Sequence, residues 1–177
     1  MKIMHYAGVG ARATPPHILE VMSHLARKLE SKGYILRSGG AAGADSAFEG
    51  GVISPQNREI YLPGRSFNNK YAGQHNYIDA SSLPSWNQAL ATVGQYHPKA
   101  QGLSDFVRKL MARNAMQVLG RAMDTPAKML IAWTPGGQIT GGTGQALRMA
   151  NAYKVPIRNL ADPATLQNAI KFIESNN

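Results

Sequence analysis

Three glycine-rich turns hold the residues of this chain best suited to chemistry. They are Gly8-Val-Gly-Ala-Arg12, Ser38-Gly-Gly-Ala-Ala-Gly-Ala-Asp45 and Thr134-Pro-Gly-Gly-Gln-Ile-Thr-Gly-Gly-Thr-Gly144. Each follows a short apolar run and precedes a segment with helical spacing. Gly8, Gly10, Gly39, Gly40 and Gly43 allow sharp turns and close approach to a ligand. A helix starting behind such a turn presents unpaired N–H groups, which suit an anion and above all a phosphate. Arg12 can grip a phosphate at two points, or be a surface side chain. Ser38 and Thr143 can donate to phosphate or ribose, or bond within their own turns. Asp45 and Glu49 lie four residues apart, on one helical face. Either can accept ribose hydroxyls or act as a general base, and Asp45 can instead cap its helix. Arg113-Asn114 is either a pair reaching the pocket from the side or a solvated stretch of helix.

Other chemistries are missing from the sequence. With no cysteine there is no disulfide, thiolate ligand or thiol nucleophile, as suits a reducing cytoplasm. His5, His17, His24, His75 and His97 lack metal-ligand spacing, so neither a metal site nor a cofactor is expected. The Gly-x-Ser-x-Gly elbow, the Gly-Lys-Ser/Thr phosphate loop and the full Gly-x-Gly-x-x-Gly fingerprint are all absent. No apolar run is long enough to span a bilayer, and because the first residues lead directly into a strand-like segment no signal peptide is expected. The net charge of +9 favours polyanionic or anionic small-molecule partners, or solubilises the surface.

The turns need strands before them and helices behind them, and the pattern supplies both. Strands are expected at 2–7, 34–37, 58–62, 129–133 and 155–159. Thr14 is expected to cap a first helix with Pro15 at its first position, and Ile18, Val21, Met22, Leu25 and Leu29 to face the core. Gly33 sits where a helix stops. Further helices are expected from Ala44, from Ser104-Asp105 to Leu119, over 145–153 and after Asp162-Pro163, the last with Leu166, Ile170 and Ile173 inward. Phe106, Leu110, Val118 and Leu119 are the expected core side of the 105–119 helix. Residues 65–103 break the pattern. They read as an insertion with short helices near 79–87 and 86–93, covering the sheet edge or the site. The alternation implies one α/β domain over 1–177, a Rossmann-like open, mainly parallel sheet with helices on both faces.

Taken together, these motifs resemble the SLOG superfamily of Rossmann-like nucleotide binders, which includes DNA-processing protein A and the Lonely Guy phosphoribohydrolases. Gly8-Val-Gly-Ala-Arg12 is similar to its Gly-Ser-Arg motif, with Ala11 in place of Ser. Residues Ser38 to Asp45 are similar to the Ser-Gly-x-Ala-x-Gly-x-Asp motif of DNA-processing protein A. Arg113-Asn114 resembles the Arg-Asn of that protein and, at Arg113, the Arg-Lys of the Lonely Guy enzymes. Pro135, Gly136 and Gly137 with Gly142, Thr143 and Gly144 resemble a split Pro-Gly-Gly-x-Gly-Thr motif. The whole pattern looks most like small stand-alone members encoded by phages, which would act in the host cytoplasm. Two departures stand out: Gln145 occupies the place of the catalytic Glu of the Lonely Guy enzymes, and Ala42 that of a loop Arg of DNA-processing protein A. The C-terminal module usual in that protein is not expected here.

The resemblance leaves three functions open. One is binding of a phosphorylated nucleotide, related to ADP-ribose or NAD or a nucleoside monophosphate, to sense or sequester a signal. Another is single-stranded DNA binding, with Tyr71, Tyr77, Trp86 and Tyr96 stacking on bases or packing within the insertion. The third is hydrolysis of an N-glycosidic bond by Glu49, Asp45 or Arg113. The resemblance also implies a homo-oligomer.

Overall fold

A computed structural model describes residues 2–176. Six parallel strands form the central sheet: β1 (Met4–Gly8), β2 (Tyr34–Ser38), β3 (Arg58–Leu62), β6 (Tyr77–Asp79), β7 (Leu130–Ala132) and β8 (Ile157–Asn159). Their spatial order is β6-β3-β2-β1-β7-β8. Two more strands, β4 (Ser66–Phe67) and β5 (Lys70–Tyr71), make a small antiparallel hairpin outside that sheet. The helices are α1 (Pro16–Ser31), α2 (Ala44–Gly51), α3 (Trp86–Tyr96), α4 (Asp105–Leu119), α5 (Gly141–Ala152) and α6 (Pro163–Glu174).

Alternation along the strands sorts the helices onto two faces. Tyr6, Leu36, Ile60, Leu62 and Ile131 meet Ile18, Met22 and Leu25 of α1 and Phe48 of α2. Their neighbours Ala7, Tyr61, Leu130 and Ala132 meet Val93 of α3, Met116 of α4 and Leu147 of α5. With apolar contacts on both faces, the central strands lie in a Rossmann-like three-layer α/β sandwich, as the alternation implied. From β1 the chain winds outward through β2, β3 and β6. It then returns by α4 to place β7 on the other side of β1. The winding reverses between β1 and β7, and such a reversal opens a crevice at the carboxyl ends of the strands.

The largest departure from the sequence expectations lies in residues 65–103. They supply the edge strand β6, paired with β3 through Ile60–Tyr77 to Leu62–Asp79, where only short helices were expected. Residues 79–85 form no α-helix. A 3-10 turn covers Ala80–Ser82, and the Asp79 side chain accepts from the Ser81 N–H. The second expected helix exists as α3, longer than anticipated. Hairpin β4–β5 turns on Asn68 and Asn69, at φ 51° and 59°. Asparagine tolerates that left-handed region, which a tight two-residue hairpin turn requires.

Smaller corrections have local causes. Pro15 is the N-cap of α1, and the buried Thr14 hydroxyl donates to the Ala11 carbonyl at 2.6 Å instead of capping. Phe106 is 54% exposed, not in the core. Helix α5 begins at Gly141, so Gly142, Thr143 and Gly144 form its first turn. Leu166, Ile170 and Ile173 of α6 are half-buried, with the first and last packed against the α1 side of the core. Gly120, at φ 84°, ends α4. Ser104 caps α4 by accepting from the Val107 N–H at 3.2 Å. Ser104→Ala removes that acceptor, and chemical denaturation is expected to show a loss of about 1 kcal/mol.

Candidate functional site

The crevice between β1 and β7 holds a cleft of about 420 Å³. The turn after β1 contributes Gly10, Ala11 and Arg12, and the turn after β7 contributes Thr134 and Pro135. Thr140, Gly141, Gly142 and Thr143 bring the start of α5 to the same wall. The first N–H groups of a helix have no partner within it, and its dipole makes that end positive. The wall is therefore built for negative charge.

The first two turns interlock. A Cβ on Gly10 would lie 2.5 Å from the Ala44 Cβ. Gly43 is at φ 85°, and its Cβ would come within 2.8 Å of the Arg12 Cα. The backbone of the second turn thus buttresses the first, and Gly43 itself does not line the cleft.

The other wall is one stripe of α4. Leu110, Arg113, Asn114 and Gln117 recur at helical spacing and all line the cleft. Arg113 is buried and donates to the carbonyl of Gly39 and, at 2.8 Å, to Asn114 Oδ1. Asn114 in turn donates to the Gly142 carbonyl at 2.9 Å, which ties α4 to the start of α5. Phe67, from the hairpin, lies 5.2 Å from the Arg113 guanidinium. Asn68 and Lys70 hold that hairpin down by donating to the Gly40 carbonyl at 3.0 and 3.2 Å. Gln117 is 1% exposed, and its Nε2 has no hydrogen-bond partner.

Asp45 is the carboxylate in this cleft, buried and accepting from the Ala41 N–H at 3.3 Å. Burial pushes its pKa up to about 6, although the Arg113 charge and the Ala41 N–H hold it down. Burial likewise lowers the pKa of Arg113; Asp45 favours its charge and Arg12 opposes it.

The structure draws together Gly10, Ala11, Arg12, Asp45, Arg113, Asn114, Pro135, Gly142 and Thr143. Others singled out in the sequence stand apart. The Ser38 hydroxyl is buried and donates to the Gly8 carbonyl at 2.7 Å, joining β2 to β1. Gly39 and Gly40 offer their carbonyls to Arg113 and to the hairpin, while Gly136 and Gly144 lie outside the cleft lining. Glu49 accepts from the Tyr77 hydroxyl at 2.6 Å and lies 4.0 Å from Lys70. Gln145 is buried on the α3 side, where its oxygen accepts from Arg148 at 3.0 Å and its nitrogen meets the Thr92 carbonyl at 3.5 Å. Of the aromatic residues in 65–103, Trp86 and Tyr96 pack on the core, and Tyr71 is 55% exposed.

Phe67, Gln117, Thr140 and Gly141 were not singled out from the sequence. The spacing from Arg113 places Gln117 on the same face, and Asn68-Asn69 is a turn signal beside Phe67. Both signals are legible in retrospect.

No protein-family profile matches this chain, and no curated protein sequence matches it. A solved structure of DNA processing protein A from Helicobacter pylori, described for its single-stranded DNA binding mode, shares the fold with a TM-score of 0.59. The two are 18% identical, over 96% of this chain and 78% of that one.

The raised pKa of Asp45 has a consequence for stability. The folded protein holds this proton more tightly than the unfolded chain does. The stabilisation is full below about pH 4 and is lost as pH rises through about 6. Urea denaturation of Asp45→Asn should lack the fall in stability that the parent shows across that window.

Proposed function

We propose that this chain binds a phosphorylated nucleotide, related to ADP-ribose or NAD or a nucleoside monophosphate, in the cleft between β1 and β7. The observation that carries this reading is the convergence of Gly10–Arg12 and the first turn of α5 on one cleft of about 420 Å³. That volume falls in the range of small-ligand sites, roughly 300–1,000 Å³. In this reading the α5 N–H groups and Arg12 take the phosphate, with Thr143 adding a hydroxyl donor. Gln117 Nε2 offers a donor to a ligand oxygen, and Asp45 accepts from ribose hydroxyls. We place the chain with the SLOG superfamily as a binder that senses or sequesters a signalling nucleotide, in the manner of a phage-encoded member.

Binding is favoured over cleavage because Gln145 and Glu49 are engaged away from the cleft. Asp45 is the carboxylate left to a hydrolase. Release of free base from nucleoside monophosphates, abolished in Asp45→Asn, would establish that activity instead.

Single-stranded DNA is the second reading. It is supported by the DNA-binding description of the Helicobacter pylori protein and by the net charge of +9. It predicts affinity for oligodeoxynucleotides that falls steeply with salt, because bound Lys and Arg release counterions.

Calorimetry with ADP-ribose, its cyclic derivatives, NAD and nucleoside monophosphates separates these readings. At least one is expected to bind. Arg12 is exposed, so Arg12→Ala should leave the melting temperature unchanged and weaken that ligand by roughly tenfold or more, the worth of a charged phosphate contact. Tight binding of oligonucleotides with none of the small ligands would overturn the proposal.

A further inference from the structure

Phe106 is at odds with its surroundings. It stands in the first turn of α4, 54% exposed, and the core does not claim it. It extends the cleft-lining stripe of Leu110, Arg113, Asn114 and Gln117 by one helical turn, just beyond the lining itself. Burial grades along that stripe. Gln117 is 1% exposed and Arg113 and Asn114 are each 6% exposed, whereas Leu110 is half-buried and Phe106 open. From Phe106 to Gln117 the helix rises roughly 16 Å, so the stripe runs from mouth to floor.

At the mouth Phe106 meets Phe67, with ring centroids 6.4 Å apart and planes tilted by 44°. Phe67 is placed by the docked hairpin and lines the cleft, with Arg113 beside its ring. Phe67 therefore lines the cleft and Phe106 stands beside it at the rim, one ring braced and the other free. A ligand carrying only phosphate and sugar would have no use for them. A heteroaromatic base has a π-face and little hydrogen-bonding demand along it, and stacking on aromatic side chains is sequence-tolerant.

We propose that Phe106, with Phe67 beside it, is the stacking platform for the base of a mononucleotide whose phosphate sits among Gly10–Arg12 and Gly141–Thr143. This rests on the nucleotide-binding reading above and adds to it the position of the base and the residues that take it. The platform reads an aromatic face rather than a base edge, so purines are preferred for their stacking area and not by a hydrogen-bond code.

The test compares AMP, ADP-ribose and ribose 5-phosphate by calorimetry on the parent protein and on Phe106→Ala, with thermal melting to confirm the fold. Phe106→Ala is expected to lower AMP and ADP-ribose affinity by about tenfold and leave ribose 5-phosphate unchanged. In Phe106→Trp, bound AMP is expected to quench the new indole fluorescence while ribose 5-phosphate does not. Equal losses for all three ligands, or no loss for any, would overturn the platform while leaving a phosphate site in place. If Phe106→Ala weakens only oligodeoxythymidylate, the platform belongs to a polynucleotide and this assignment is wrong. Failure of the parent to bind any of the three removes both the platform and the reading it rests on.

Discussion

A buried arginine organises this molecule. Arg113 carries its charge into the protein interior, and an arginine there is tolerated only with its donors engaged. Three elements meet that demand at once: the second glycine turn through the Gly39 carbonyl, α4 itself through Asn114, and the hairpin through the ring of Phe67. Asp45 supplies the opposing charge from α2. Because Asn114 passes the connection on to Gly142, the guanidinium also holds the start of α5 in register with α4. Both walls of the cleft and much of its mouth depend on that side chain.

A second buried charged cluster makes an instructive contrast. Arg37 lies 3.6 Å from Glu59 and donates to the Thr125 carbonyl at 2.6 Å. Glu59 also accepts from Tyr61 and lies 3.0 Å from His5. Burial alone would raise the pKa of Glu59, but hydrogen bonds from His5 and Tyr61 and the Arg37 charge together lower it. These groups tie β1, β2 and β3 to the loop after α4, and most of their polarity is taken up by the fold, although Arg37 Nε has only the Glu59 charge 3.6 Å away and no hydrogen bond. In the cleft the polarity is not consumed. Gln117 keeps an unpaired donor, Arg12 is exposed, and the first turn of α5 faces open space. The same physical demand for partners makes one cluster structural and the other receptive.

The topology explains why receptivity arises there. Reversing the winding between β1 and β7 leaves the two following turns diverging, with no crossover helix between them to fill the gap. The 65–103 segment then acts on the same cleft from the other side of the sheet. Its strand β6 extends the sheet edge, and its hairpin is pinned on Gly40 so that Phe67 reaches across to Arg113. A loop of that length without any role would be an entropic burden; here it sets the shape of the mouth.

Much of the framework was legible in the sequence because its causes are local. Strand runs, helical spacing in α1, the helix starts at Ser104-Asp105 and Asp162-Pro163 and the glycine turns each depend on a few neighbouring residues, and all appear within two residues of where the pattern places them, the last two strands shorter than expected. The direction of side chains was not legible in the same way. Ser38, Glu49 and Gln145 stand in motifs that point to a ligand, yet each is turned to another partner. Phe106 suits a core by composition, yet it lies open. Which face of a helix meets the core depends on the layer it packs against, and which strands flank a turn depends on the order of the sheet. Local sequence therefore determined the turns, the elements and the kind of chemistry they can hold. Only the tertiary structure decided which of those residues share one cleft, because burial and partnership are set by contacts between segments far apart in the chain.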